Sequence, residues 1–494
     1  MSRVTKKAKA GKITAGTYDA IVFGGGPAGS TAGNLLAHKG YRVLVIEKDR
    51  FPRHHIGESL LPGLNSLYRR LGVEKRLMRS NFFLKTGGTY IWGPTRKPWS
   101  IWFMDLSEAP TYLDERSQTW AYHVDRDRFD KILLDQCARR GAEVVQPALV
   151  KDVGMRGRTI THVDYATEDG KTHRARAKFY FDATGLAGLM ARKMRWRVFE
   201  KQLRHIAVYS YFEGARLLPG EHRYQIFVVN NPDGWIWYIP LAKNRVSVGV
   251  VTSSKRLAEA KKDMAGFLMR SIERAPEVAK LLKRAKRTQP MRIDRDWSYC
   301  ARRFIGDNFL LIGDAASFID PLLTYGVAMA MHASALAADC VDLALREPKR
   351  GKEFLEHFEK VHRHRYKDIL DFVKFFYSGN RQRKEYFWKA RRILNYPGNS
   401  YAKYAFTFMA SAHYLWKSYL YVAYFRQIFQ PIGLPVERLR KDRKFLEEVK
   451  RIRTMDLAFI DEPLLRPGER RSLVAEEAKL ARLVEKEVKR RMRR

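Results

Sequence analysis

A chain of 494 residues, 45% of them hydrophobic, is too long for one small core and too apolar to stay unfolded, so it is read as globular with two or three lobes. Its 93 Lys and Arg against 53 Asp and Glu leave a formal charge of +40, which favours an acidic partner such as nucleic acid, anionic lipid or an acidic protein. Cys137, Cys300 and Cys340 stand far apart, which excludes a disulfide framework or a cysteine metal site and fits a reducing, cytoplasmic compartment.

Residues 1–17 are basic and lack the apolar segment of a secretory signal, and are expected to be a disordered tail. "YDAIVFGGG" (18–26), "AGSTAGNLLAHKG" and "YRVLVIEK" then read as strand, helix and strand, a βαβ opening. Aromatic residues crowd 82–123 with strand-like alternation, and a helix is predicted over 126–141, followed by a short strand at "AEVV". The middle, about 145–252, is β-rich, and "NFLLIGDA" returns to the buried-strand style. No stretch of 18 apolar residues occurs; 326–345 is broken by His332 and two Asp, so no membrane span is predicted. After about 350 the chain reads as helices, with an aromatic patch over 401–429. The basic stretches 436–454 and 485–494 mix signs and read as solvated helical faces.

Gly24-x-Gly26-x-x-Gly29 lies between a strand and a helix, with Glu47 ending the next strand. Glycines there allow a tight turn and close approach of a pyrophosphate to the helix N-terminus, and Glu47 can accept from ribose hydroxyls. A branched side chain at Gly29 is expected to occupy the pyrophosphate's space. FAD and NAD share this fingerprint. "FYFDATG" (179–185) and "FLLIGDAA" (309–316), with Gly313 and Asp314, resemble the second and third signatures of the flavoprotein monooxygenase superfamily, which implies FAD. Arg126, opening the helix 126–141, joins the expected cofactor-binding set. No second glycine fingerprint offers a nicotinamide site.

Four further stretches resemble the flavin-dependent halogenases. "FPRHHIGESLLP" (51–62) is similar to their flavin strap, and "FFLKTGGTYIWG" (82–93) to the segment with their catalytic lysine, here Lys85. "GWIWYIP" (234–240) carries their Trp-x-Trp-x-Ile-Pro signature in Trp235, Trp237, Ile239 and Pro240. "FIDPLLTYG" (318–326) resembles Phe-x-x-Pro-x-x-Ser-x-Gly, with Thr324 at the Ser position. Three of the tryptophan-signature residues alternate and so share one strand face; in the family that set keeps substrate from the flavin. Burial of Lys85 would lower its pKa, as suits a donor to hypohalous acid or a nucleophilic amine. Pro321 and Gly326 shape a loop feeding a helix near Val327, whose N-terminus favours an anion, and the resemblance places a halide at Thr324, Tyr325 and Gly326.

The resemblance implies an α/β fold: a Rossmann-like FAD-binding domain of the glutathione-reductase type over 18–345, a β-sheet substrate region inserted at about 82–125 and 190–300, and a helical C-terminal region over 346–494. It implies an oxidoreductase that halogenates an electron-rich phenol, pyrrole or indole with reduced FAD from a separate flavin reductase, O2 and chloride or bromide, and no metal. Leu323 stands where tryptophan halogenases carry a glutamate that orients the indole, which points away from free tryptophan. The basic surface suits an acidic carrier protein bearing the substrate or, with the aromatic patch, a membrane surface; no motif points to nucleic acid. The three flavin signatures alone also fit an FAD monooxygenase or a reductase of the geranylgeranyl type, which should lack Lys85 and the tryptophan pair.

Overall fold

In the computed structural model Thr17–Phe23 is buried on both faces from Ala20 onward, as a central strand of a parallel sheet must be. Val43–Ile46 pairs with it on one side and Thr172–Asp182 on the other, both parallel. Glu143–Val145 and Phe309–Leu311 extend the sheet at its two edges, again in parallel. Pro27–His38 follows the first strand and packs against Arg126–Arg139. Thr172–Asp182 serves two layers, because its opening residues pair antiparallel with Thr159–Thr167, which in turn pairs with Ala148–Arg156. The described residues are 17–93, 96–103, 120–259, 263–377, 407, 409–412 and 415. All belong to the first of two compact units, Met1–Trp416. The tail 1–16, most of the patch 401–429 and both late basic stretches lie outside the described residues.

A second, nine-stranded sheet draws its strands from both stretches read as the substrate region. Its central strand, Arg197–Glu213, pairs antiparallel with Arg245–Ser253 and with Arg292–Ala301. Beyond Arg245–Ser253 come Gly234–Pro240, Gln225–Asn231, Gly87–Ile91 and Trp99–Trp102. Phe83–Lys85 leaves this sheet and forms a ribbon with Ala121–His123. Ser59 bridges to His123, the Leu60 N–H donates to the Tyr122 carbonyl, and the Val124 N–H donates to that of Glu58, so the strap ends as a third strand of the ribbon.

Gly326–Arg346 is long and apolar enough to cross a membrane by length and composition alone, and 83% of that window is buried inside the protein. It packs against Pro27–His38 and against Gly351–Tyr377. The three cysteines are free.

Candidate functional site

The cofactor cradle is built by the first strand-to-helix turn. Gly24 has φ +103°, and a Cβ there would meet the Ala183 carbonyl oxygen at 2.3 Å, so the turn closes against the 182–185 loop only with glycine. Gly26 caps Pro27–His38 in extended conformation with Pro27 at the first helical position, leaving the first N–H groups of the helix unpaired within it. Gly29 needs a different explanation from the one the sequence suggested. A Cβ on it would lie 1.8 Å from the Gly24 carbonyl oxygen, so this glycine lets the helix sit on its own turn and does not make room for a ligand. Glu47 is buried and accepts from the N–H groups of Gly25 at 2.5 Å and Asp49 at 2.8 Å, so it also shapes the turn. Asp182 accepts from the Thr184 and Met190 N–H groups and holds the loop that meets Gly24.

The turn opens on one cleft of about 940 Å³, near the upper end of the roughly 300–1,000 Å³ usual for ligand clefts and suited to a dinucleotide. Gly24, Gly26, Glu47, Arg126 and Asp314 all reach it; Gly313, with φ +58°, turns the chain before Asp314. Burial pushes the Asp314 carboxyl up to about 6, against the pull of Arg126. The strap is pinned across the cleft by that arginine. Arg126 makes two hydrogen bonds to Asp130, at 2.8 and 3.0 Å, and two more to the Ile56 and Gly57 carbonyls, while Arg53 also donates to Asp130 Oδ2 at 2.9 Å. The Arg126 guanidinium therefore positions the strap at the cleft. Glu58 was not singled out in the sequence. It lines the cleft with Oε2 lacking a hydrogen-bond partner, and burial pushes its carboxyl up to about 7. Only its place inside the strap pattern could have signalled it.

Trp235, Trp237 and Ile239 line the same cleft from one strand face. Trp237 lies opposite Gly249, where a Cβ would come within 2.3 Å of the indole, so the partner strand must carry glycine for the ring to lie flat across it. Also at the cleft, Pro321–Leu323 forms a short turn, Thr324 takes a left-handed conformation at φ 57°, and the long helix begins at Gly326, one residue earlier than expected. Thr324 and Gly326 line the cleft, and no atom lies within 4 Å of a Cβ built on Gly326. The Tyr325 side chain lies elsewhere: it is buried, and its hydroxyl donates to the Met409 carbonyl. Of the halide set, Thr324 and Gly326 face the cleft and Tyr325 can contribute only through its backbone.

Lys85 lies in a second, much smaller chamber of about 10 Å³, room for roughly one water. Leu61, Tyr90, Ile101, Phe103 and Leu323 crowd around it. Thr324 belongs to both cavities, and Lys85 Nζ donates to Thr324 Oγ1 at 3.3 Å. Lys85 is 2% exposed, and burial lowers its ammonium from 10.5 to about 7. His123, paired with Phe83 across the ribbon, shares the lysine's face; burial, and then the Lys85 charge, hold it well below its ordinary value.

That depressed value is also a statement about stability. Between about 7 and 10.5 the unfolded chain holds a proton that the folded one has lost, so stability rises with pH across that window and levels off at its lower value below 7, where both states hold the proton. In urea titrations, stability should rise from pH 7 to pH 9 by roughly 2–3 kcal/mol more in the native protein than in Lys85→Met. Parallel pH profiles would contradict the buried, titrating amine.

Among the described residues no cluster of His, Cys, Asp and Glu could hold a metal ion. A glycine cradle, a strap and a dinucleotide-sized cleft do fit FAD. The tryptophan halogenase family model matches residues 19–116 and 104–431. A tryptophan 2-halogenase of Chondromyces crocatus is 32% identical over 380 residues, 76% of this chain and 70% of that protein. A 1H-pyrrole-2-carbonyl-[peptidyl-carrier protein] chlorinase of Pseudomonas fluorescens is 29% identical over 74% of this chain and 84% of that one. The solved structure of the myxobacterial chondrochloren halogenase CndH, described as a variant of FAD-dependent halogenases, superposes with a TM-score of 0.70 at 32% identity, covering 80% of this chain and 97% of that one. With cradle, strap, tryptophan wall and buried lysine in one fold, and a family match over most of its length, the chain belongs to the tryptophan halogenase family of flavin-dependent halogenases.

Proposed function

We propose that the protein halogenates an electron-rich aromatic ring of the phenol, pyrrole or indole type, with reduced FAD delivered by a separate flavin reductase, O2 and chloride or bromide. The observation that carries this reading is Thr324, which lies at once on the cleft and beside Lys85 in the adjoining chamber. Gly24, Gly26 and the helix start after them would hold the pyrophosphate, with Asp314 and the strap along the rest of the cofactor. When bound, the reduced flavin supplies with O2 the oxidising power that turns halide into hypohalous acid.

The protein's own residues then govern the course of that small oxidant. Trp235, Trp237 and Ile239 keep an organic ring out of the cleft, while Thr324 and Gly326 leave a narrow way past the turn. Lys85 holds hypohalous acid by an ammonium N–H donated to its oxygen, in a nearly dry chamber. As the ring carbon takes the halogen, the Lys85 ammonium gives its proton to the departing hydroxyl oxygen, making water. The amine then takes the proton the ring carbon loses, and the lysine is restored. A ring can reach Lys85 only after Phe103, Leu61 or another lining residue moves, since the chamber holds about one water. The pyrrole and tryptophan activities of the relatives support an aromatic substrate, and the pyrrole one supports delivery on a carrier protein.

The test supplies a flavin reductase, NADH, FAD and bromide with phenols, indoles and pyrroles, each free and as a carrier-protein thioester, and follows brominated mass shifts. Bromination of a ring is expected, with little turnover when the reductase is left out. Hydroxylated products, or rapid flavin reduction by NADH alone, would favour the monooxygenase reading.

A further inference from the structure

Beside the tryptophan wall, side chains from distant parts of the chain meet in a cluster, with Trp235 and Asp320 buried and His205 and Tyr377 half-buried, whose hydrogen bonds the proposed chemistry does not use. The Trp235 Nε1–H donates to the Tyr377 hydroxyl at 2.6 Å. That hydroxyl lies 2.9 and 2.8 Å from the two carboxylate oxygens of Asp320. His205 Nδ1 is 2.8 Å from Asp320 Oδ2, and its ring stacks on Tyr377 at 4.9 Å with 28° between the planes. Tyr377 has one hydroxyl proton, and the carboxylate can only accept, so the chain has one direction: indole to phenol to carboxylate.

Asp320 is 1% exposed and faces two ways. Its Oδ1 also accepts from the Leu322 N–H at 3.1 Å, and its own N–H donates to Ser298 Oγ at 3.0 Å. It therefore caps the Pro321–Leu323 turn that ends in Thr324. Through Tyr377 the same carboxylate holds Trp235. One end of the cluster is thus the cleft wall and the other is the neck leading to Lys85. The Trp92 indole, donating to the Phe376 carbonyl at 3.1 Å, fixes the end of the helix that supplies Tyr377.

We propose that Tyr377, Asp320 and His205 are positioning residues: they keep Trp235 and the 321–324 turn in one register, so that the oxidant passes Thr324 to Lys85 and does not leak away. The consequence for turnover rests on the halogenase reading; the cluster itself rests on hydrogen-bond geometry. Removing the Tyr377 hydroxyl strands a buried indole N–H and takes one donor from a buried carboxylate. Each loss is large enough to let the ring turn or water enter.

The full-length protein carrying Tyr377→Phe tests this. Brominated product per reduced flavin oxidised should fall about tenfold, with a matching rise in released hydrogen peroxide, while the Kd for FAD stays within about twofold. His205→Ala should lower the same ratio in the same direction. Tryptophan emission should shift in Tyr377→Phe, and should show no such shift when Trp235 is already Phe. A native product-to-peroxide ratio in both variants would overturn the proposal, even if one of them folds poorly. If the native protein brominates nothing, the functional reading fails separately, and the emission comparison still decides the cluster: a shift that survives in the Trp235→Phe background would overturn it.

Discussion

Lys85→Ala should lose about a thousandfold or more in halogenated product while binding FAD and consuming reduced flavin as before. Among the described residues Lys85 is the sole amine lining its chamber, is nearly dry, and reaches Thr324, whereas it does not line the FAD cleft. Its removal therefore leaves the cofactor's surroundings intact and takes away the group to which the proposed mechanism gives the holding of hypohalous acid and the proton transfers at the ring. Reduced flavin should still be oxidised, with the oxidising equivalents appearing as peroxide or free hypohalous acid. The decisive measurement is paired: product by mass spectrometry, and flavin reoxidation by absorbance. Reoxidation that slows in step with product would mean Lys85 acts in the cleft, contrary to its position.

Gly29→Val should give a protein without flavin, and the reason is backbone geometry. The first carbon of any side chain would lie 1.8 Å from the Gly24 carbonyl oxygen and 3.1 Å from a Val22 methyl, so helix and turn must separate. Separation destroys the cradle's N–H array, and at the high end of steric mutational effects, about 4–5 kcal/mol, much of the domain's margin goes with it. Gly351→Ala is the control, because it lies outside the cleft and its methyl group would meet only ordinary contacts, the nearest at 3.6 Å. The expected pattern is a colourless Gly29→Val and a yellow Gly351→Ala after purification in excess FAD. A yellow Gly29→Val would show that the helix can shift without losing the cradle.

The parts of the site that were legible in the sequence are those whose chemistry is local. A strand, three spaced glycines and a helix start lie within a dozen residues, and their φ values and close contacts follow from that spacing. Alternation alone put Trp235, Trp237 and Ile239 on one face. Lys85 could be read as buried because its neighbours are apolar and aromatic. What could not be read were partners brought together from afar: Asp320 with His205 and Tyr377, or Thr324 with Lys85, separated by 239 positions. At Gly29 the spacing marks a glycine but does not say which atom a Cβ would strike, here the Gly24 carbonyl oxygen. Tyr325 shows the same limit in reverse, for its backbone follows the motif while its ring serves the interior packing.

The tightness of the space around Lys85 carries a thermodynamic consequence for substrate capture. A ring binds only the conformations in which that space has opened, so its apparent affinity equals the intrinsic one multiplied by the open fraction. An opening populated one time in a hundred weakens apparent binding about a hundredfold. A free metabolite must meet that penalty with its bulk concentration, which excludes dilute bystanders from the chamber in which the proposed mechanism handles a strong oxidant. A ring held on a short flexible tether to a docked protein is presented at an effective concentration on the order of millimolar, and so can use rare openings that a dilute free ring would miss.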